Sequence, residues 1–243
     1  MLEVHPLRIE SPERSKLESV APEFIKEKLL WAREMSWKGF EKIKAGLKEG
    51  MTEHEAMRLA MTILEKLGVD RHWHKPFIRF GPGTTLTFHE PLQSDYRLQK
   101  NDPVFVDIGP VWKDNDSEIL YEGDVGDSFV FGNNLKAEKC AQTARDLFSE
   151  VAALWKQKSL SGDEIYHFLK GRAVELGYQL IENVDGHRIS DFPHQKYSRE
   201  RLAKLKFDPA PLLWVLEVHI RKPNESMGAF YEDILDHRFA FGH

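Results

Sequence analysis

The chain has 243 residues, of which 41% are hydrophobic and 30% charged, as expected for one large soluble domain or two small ones. Its formal net charge of -5, from 34 Lys and Arg against 39 Asp and Glu, argues against nucleic acid as a partner. Cys140 is the only cysteine, which excludes an intrachain disulfide and a thiolate zinc cluster and favours a reducing cytoplasm.

The N-terminal residues are predicted to lie outside the folded domain. Residues 1–20 combine charged side chains with Pro6 and Pro12, which oppose helix formation and do not fit the apolar centre of a signal peptide. No apolar run in the chain reaches the roughly 18 residues of a membrane span. We therefore expect an N-terminal arm over residues 1–20, a single domain over residues 21–243, and neither export nor a membrane partner.

The first predicted unit of the domain is a pair of helices. Over residues 22–47, apolar side chains recur every three to four positions among Lys and Glu, which is typical of a long amphipathic helix. Thr52 and Glu55 then form a capping-box signature. The helix that they open is predicted to end at Gly68, where a left-handed C-cap is expected.

A β-hairpin is predicted next. Residues 77–80 and 84–88 are two strand-like runs, and the Gly-Pro-Gly between them is typical of a turn. This hairpin would place His89 at its end. Upstream, His72 and His74 could bind a metal ion together if they lay on a strand, but the proline that follows favours a solvated loop.

Two aspartates then stand next to runs that otherwise look buried. Asp107 follows Val-Phe-Val, and Asp124 lies between Tyr121 and Phe-Val-Phe, with a polar turn predicted over residues 113–118. A carboxylate buried alone would cost several kcal/mol or take up a proton. Two carboxylates on adjoining strands therefore indicate a bound cation.

The helical pair is predicted to occur a second time. Residues 135–157 resume helical spacing, and Ser161 with Glu164 opens another capped helix that ends at Gly177. The two capped helices match in length, and each follows a long helix. Two such halves, each completed by strands, predict an α+β domain with pseudo-twofold symmetry and a site between the halves.

The second half adds further residues of metal-ligand type. Glu217 and Glu232 each place an acid in an otherwise apolar strand, and His187 and His194 precede those strands. The full set of candidate ligands is Asp107, Asp124, His187, Glu217 and Glu232, with His89 and His194 as additional imidazoles. Four carboxylates and one histidine suit two divalent ions about 3.5 to 4 Å apart, and favour Mn, Fe, Co or Zn over Cu.

Several short motifs follow one another in a recognisable order. They are Phe88-His89, VDIG with Asp107, YEGDVGDSF with Asp124, Gly186-His187 with His194 seven residues on, LEV with Glu217, and YED with Glu232. From about Phe24 to Leu235, this order resembles the pita-bread metallopeptidases, which include methionine aminopeptidase, aminopeptidase P and prolidase. The resemblance implies the pita-bread fold, which is a duplicated α+β fold.

The resemblance also implies a role for each candidate ligand. Asp107 would chelate one of two divalent ions, and Asp124 and Glu232 would bridge both. His187 and Glu217 would complete the coordination of the other ion. The expected cofactors are accordingly two divalent metal ions.

Three residues receive a catalytic role from the resemblance. Glu217 would also transfer protons. His89 and His194 would contact the substrate and stabilise the oxyanion of the tetrahedral intermediate. The chain departs from the family pattern in a longer turn over residues 112–119 and in the residues after Asp124 and His187, which predicts altered specificity rather than lost metal binding.

The implied function is that of a cytosolic metallo-aminopeptidase with a peptide substrate. The motif around Glu232, in which Asp233 directly follows the glutamate, resembles the corresponding motif of aminopeptidase P and prolidase more than that of methionine aminopeptidase. This resemblance favours the Xaa-Pro type. Those relatives usually have a further N-terminal domain, for which there is no room before Pro22, and this favours methionine aminopeptidase. A non-catalytic peptide-binding module, a hydrolase of a small non-peptide amide, and assembly as a homodimer are open alternatives.

Overall fold

The computed structural model describes residues 16–236, so residues 1–15 of the predicted arm lie outside the described part. The described end of that predicted arm contacts the rest of the described chain. Arg188 Nε donates to the carbonyl of Leu17 at 2.8 Å, and its Nη2 donates to that of Ser19 at 2.7 Å. Glu18 accepts hydrogen bonds from the Ala210 amide and the Trp214 indole.

Four long helices form two matched pairs, as the sequence predicts. They are α1 (Lys26–Gly46), α2 (Glu53–Lys66), α3 (Leu135–Lys158) and α4 (Gly162–Glu175). At the start of α2, the Thr52 amide donates to Glu55 Oε2 at 2.8 Å, and Thr52 Oγ1 accepts from the Glu55 amide at 3.2 Å. The helix ends before Gly68, whose φ of 89° is the left-handed value expected of a C-cap. None of the helices within residues 16–236 has the length and apolar character to cross a membrane.

One antiparallel sheet of seven strands completes the domain. The strands are β1 (Arg71–Phe80), β2 (Asp102–Lys113), β3 (Leu120–Glu122), β4 (Val125–Phe131), β5 (Gln179–Leu180), β6 (Val215–Arg221) and β7 (Gly228–Ile234). Their order is β1-β2-β4-β7-β6-β5, with β3 paired to β2. Three strands of the first half thus meet three strands of the second in mirrored order, which confirms the duplicated α+β fold.

The predicted hairpin over residues 77–80 and 84–88 is wrong. β1 pairs with β2 instead, and Gly81–Thr85 forms a 3-10 helix. Gly81 has a φ of 48°, and a Cβ there would overlap the Tyr96 hydroxyl. Arg79 holds the loop beyond through the carbonyls of Thr87 and Glu90, both at 2.6 Å, so the chain leaves the sheet instead of turning back along it.

Candidate metal centre

The acidic residues on the sheet face away from the helices. In β2, Val106 and Ile108 belong to the core packed against α1 and α2, so Asp107 between them lies on the opposite face. Glu217 in β6 and Glu232 in β7 alternate in the same way with core residues that pack against α3 and α4. The pleat therefore directs all three carboxylates to one side of the sheet.

Strand pairing brings these three acids into one row. Asp107 pairs with Gly126, Gly126 pairs with Glu232, and Glu232 pairs with Glu217. Gly126 adds no side chain to the row, and a Cβ there would come within 2.5 Å of Phe230 Cε1. Register across four strands thus gathers carboxylates that are far apart in the sequence.

Asp124 and His187 join the row from the connections between strands. Asp124, which is 1% exposed, directly precedes β4 rather than lying inside a strand. His187 Nε2 lies 3.0 Å from Asp124 Oδ2 and 3.6 Å from Glu232 Oε1. Its Nδ1 lies 2.6 Å from the carbonyl of Arg188, so Nδ1–H donates there and Nε2 is directed to the carboxylates.

A second histidine, for which the sequence predicts a loop, also reaches this cluster. His74 lies on β1, and its Nε2 is 3.3 Å from Asp124 Oδ1 and 3.4 Å from Asp107 Oδ1. Trp73 donates its indole N–H to Asp124 Oδ2 at 2.9 Å. The prediction of a solvated loop around His72 and His74 is therefore wrong, and their alternation around a tryptophan was the signal for a strand.

These side chains form two overlapping groups of suitable metal ligands. His74, Asp107 and Asp124 have ligand atoms within 4.8 Å of one another, and so do Asp124, His187 and Glu232. Within residues 16–236, the buried atoms Asp107 Oδ1, His187 Nε2 and Glu232 Oε2 have no hydrogen-bond partner. Buried polar atoms seldom lack a hydrogen-bond partner. These oxygen and nitrogen atoms are of the kind that coordinates divalent cations, so bound ions would account for them.

The pKa values of Asp107 and Glu232 are consistent with a cation in the cluster. Burial, with the nearby charges of Asp124 and Glu217, raises the pKa of Asp107 to about 7. Burial, together with Asp124 and Asp107, raises the pKa of Glu232 well above its usual value. Without a cation, the raised pKa values of Asp107 and Glu232 favour their protonated forms, and divalent ions favour the ionised carboxylates instead.

The cluster lies in a cavity of about 530 Å³. Phe77 and Phe88 form an aromatic part of its wall, and Glu217 and His194 also line it. Glu217 Oε2 accepts a hydrogen bond from the Gly186 amide at 2.8 Å, and Glu217 stands outside both three-residue groups. The cavity therefore combines a carboxylate-rich part with an apolar wall, as small-molecule and peptide sites require.

His194 is held in the cavity by an acid that is not among the site residues predicted from the sequence. Glu122, which is 1% exposed, lies with Oε2 2.9 Å from His194 Nδ1 and accepts the backbone N–H of His194 on Oε1 at 3.0 Å. The His194 ring lies 5.3 Å from the ring of His187. A glutamate between Tyr121 and Gly123 has the local pattern of an ordinary strand residue, so the sequence contained no signal for this role.

His89 is not brought to the cluster. Its side chain lies on the exposed loop after the 3-10 helix, and among the described residues that line the cavity its neighbour Phe88 is present and His89 is not. The loop turns at this point because the Thr87 hydroxyl accepts the His89 amide at 3.2 Å. Of the two imidazoles expected beside the metal ligands, the structure thus places only His194 in the cavity, and His74 enters from another strand.

A family comparison identifies the group to which this site belongs. Residues 27–235 match the model of the metallopeptidase family M24. The chain belongs to metallopeptidase family M24. The match includes every residue of the two ligand groups, which confirms the resemblance to the pita-bread metallopeptidases. No curated protein matches the sequence closely enough to count as a relative.

Solved structures share the fold of this M24 chain at low sequence identity. The X-Pro aminopeptidase from Thermotoga maritima MSB8 is 14% identical with a TM-score of 0.67, over 92% of this chain and 61% of its own. The Xaa-Pro dipeptidase from Bacillus anthracis is 18% identical with a TM-score of 0.66, over 91% and 59%. A methionine aminopeptidase from Thermotoga maritima is 14% identical with a TM-score of 0.62, over 95% and 96%. The M24 chain thus spans about three fifths of the first two proteins.

Proposed function

We propose that this protein is a cytoplasmic metallopeptidase that removes the N-terminal residue from peptides, most readily where proline is the second residue. The observation that carries the proposal is the pair of ligand groups that share Asp124 inside the cavity. Two divalent ions held there, of Mn, Co, Fe or Zn, would polarise the scissile carbonyl and activate a water. Asp107, Asp124, His187, Glu217 and Glu232 are the proposed ligands.

Glu217 is the proposed proton carrier. Burial raises the pKa of its carboxyl, so a proton taken from the nucleophile can be held and then passed to the leaving amine. The Gly186 amide fixes Oε2 at 2.8 Å, which orients the carboxylate towards the cavity. This arrangement supports a general acid-base role in addition to metal binding.

His194 is the proposed oxyanion donor. Because Nδ1 is held by Glu122, the ring presents Nε2 on its other side. A donor that is already oriented stabilises a developing negative charge without having to reorganise. Glu122 would then act through His194 as a positioning residue.

The aromatic wall supports the preference for proline. Phe77 and Phe88 lie 6.4 Å apart between ring centroids, and Trp73 completes the wall of the same cavity. A proline ring is rigid and apolar and packs well against such faces. Two of the solved structures with this fold are peptidases for X-Pro substrates by name.

A second candidate is a methionine aminopeptidase. The shared fold extends over 96% of the Thermotoga maritima methionine aminopeptidase, and a methionine side chain would also fit an aromatic wall. The two candidates differ in substrate and not in chemistry. A substrate panel therefore separates them.

The test of the proposed function is cleavage of a peptide panel by the purified protein loaded with each of the four metals. Xaa-Pro, Met-Xaa and Ala-Xaa peptides of matched length are compared by liquid chromatography. We expect Xaa-Pro peptides to be cleaved with the highest kcat/KM, and Glu217→Gln to reduce it by roughly 100- to 10,000-fold, the usual contribution of a general acid-base group.

The matched control is Glu182→Gln, an exposed residue outside the cavity lining, and it should keep full activity. Preference for Met-Xaa peptides would instead identify the protein as a methionine aminopeptidase. Tight peptide binding without turnover would assign a peptide-binding module, and turnover confined to small amides would assign a non-peptide hydrolase. Absence of peptide cleavage with every metal would refute the proposal.

Replacement of Glu122 tests the positioning of His194. Three donors converge on the Glu122 carboxylate, namely the His194 ring and the amides of His194 and Ser190, and a glutamine offers only one oxygen to them. Glu122→Gln should lower kcat by up to about 100-fold with little change in KM, close to the loss of one oxyanion donor. The control is Glu118→Gln at the exposed hairpin tip, with a side chain 76% exposed. A raised KM at unchanged kcat would argue against positioning.

A further inference from the structure

The position of His74 has no counterpart in the ligand set that the sequence motifs suggest. That set supplies one imidazole, His187, for two ions. The structure adds a second imidazole, His74, which meets Asp107 and the Oδ1 atom of Asp124, whereas His187 meets Oδ2 of Asp124. Each of the two ligand groups then contains one histidine, and Asp124 is common to both.

The two histidines are held in the same way. His74 Nδ1 lies 2.8 Å from the carbonyl of Lys75, as His187 Nδ1 lies 2.6 Å from that of Arg188. A backbone carbonyl that accepts Nδ1–H fixes the tautomer with its lone pair on Nε2, which is the usual support of a metal-ligating histidine. In both rings, Nε2 is the atom directed to the carboxylates.

The distances fit atoms around a common ion better than hydrogen bonds. His74 Nε2 lies 3.3 Å from Asp124 Oδ1 and 3.4 Å from Asp107 Oδ1. A charge-assisted N–H···O bond is usually about 2.7 to 2.9 Å long. Ligand atoms bound to one ion at about 2.0 to 2.2 Å are separated by about 2.8 to 3.1 Å in octahedral geometry and by about 3.3 to 3.6 Å in tetrahedral geometry. The distances from His74 Nε2 to both carboxylates are therefore those expected between ligand atoms of one ion.

The strand is shaped to aim His74 at this point. The pairing of β1 with β2 shifts register on both sides of His74, and such irregularities redirect side chains. Gly109 lies opposite His74 in this pairing, and a Cβ there would overlap the rings of both Trp73 and His74. Trp73 meets His74 edge-on at 4.7 Å, and Phe77 stacks on its other side at 5.8 Å. The ring is thus held between two aromatic neighbours.

We infer that His74 is a sixth metal ligand, which binds through Nε2 the ion held by Asp107 and Asp124. The inference rests on the proposed function only in that the centre binds metal. Because imidazole suits Zn and Fe whereas carboxylates suit Mn, His74 shifts the preference of this ion from Mn towards Zn or Fe.

The inference is tested by metal binding and not by activity. The full chain, freed of metal by dialysis, is titrated with Co(II) and followed by calorimetry and by visible absorption, which reports the ligands of the ion. Wild-type protein should bind two ions. His74→Ala should lose at least about 100-fold in affinity for one of them, since even residues that only support a ligand contribute 10- to 100-fold. The same titration with Zn(II) should show a larger loss than with Mn(II).

His72→Ala is the matched control on the same strand, because His72 belongs to neither ligand group and should leave both ions unchanged. His74→Gln provides a second variant if His74→Ala does not fold, as judged by circular dichroism.

Two ions bound with wild-type affinity and spectrum in the His74 variants would overturn the inference while leaving the metal centre intact. Binding of a single ion by wild type and variants alike would also overturn the inference. In that case a protonated His74 would pair with Asp107 and Asp124 in place of the second ion. Wild-type protein that binds no ion would refute the proposed function as well.

Discussion

Asp124→Ala is expected to abolish metal binding in both ligand groups and peptide cleavage with it. Asp124 belongs to both groups, and its carboxylate meets His187 Nε2 at 3.0 Å and His74 Nε2 at 3.3 Å. Loss of metal activation removes several kcal/mol of transition-state stabilisation, so kcat/KM should fall by at least roughly 1,000-fold. Metal content by mass spectrometry and the peptide assay measure the two effects.

The same variant should change how stability responds to a chelator. In the wild type, bound ions offset the repulsion of clustered carboxylates, and each ion stabilises the folded state by about 2.7 kcal/mol at a free metal concentration of 100 times its Kd. EDTA should therefore lower the Tm of the wild type, and it should leave the Tm of Asp124→Ala unchanged. Asp116→Asn at the hairpin tip, with a side chain 84% exposed, is the control and should respond like the wild type. Equal Tm values of the wild type with and without EDTA would contradict the expectation.

The largest expected loss of stability comes from Glu53→Ala. Glu53 and Arg79 are both fully buried and form an ion pair with Nη1 3.1 Å from Oε2. Glu53 also accepts the amides of Phe80 at 3.1 Å and Gln93 at 2.6 Å. Its removal leaves the Arg79 charge unpaired in the core, which typically costs about 3 to 5 kcal/mol.

That cost should appear as a fall in Tm of roughly 6 to 20 °C, since about 1 kcal/mol shifts the Tm of a chain of this size by 2 to 4 °C. The pair also fastens the loop that carries Phe88 to the cavity, so KM should rise in Glu53→Ala. Glu65→Gln, an exposed change on the same helix, should stay within about 0.5 kcal/mol of the wild type. A loss below about 1 kcal/mol in Glu53→Ala would show that the loop relaxes to solvate Arg79.

The helices and the buried acids of the sheet were predictable because their signals are local. The capping box of Thr52 and Glu55 and the glycine stop at Gly68 act within a few residues of chain. Asp107, Glu217 and Glu232 were recognisable because each interrupts an apolar strand, and a buried acid must be compensated. The duplication also followed from local matches, since both halves repeat the same helix pair and caps.

The tertiary structure alone decided which imidazoles reach the metal centre. The sequence motifs favour His89 over His74, but the long β2 strand pairs with β1 at both His72 and His74, and the buried Arg79 draws His89 into an exposed loop. The position of Glu122 behind His194 likewise depends on a contact across 72 residues. Sequence patterns determine the type of each element and the presence of charges that need compensation, because both are short-range properties. Which side chains compensate one another depends on strand register and buried ion pairs, which form only when distant segments pack together.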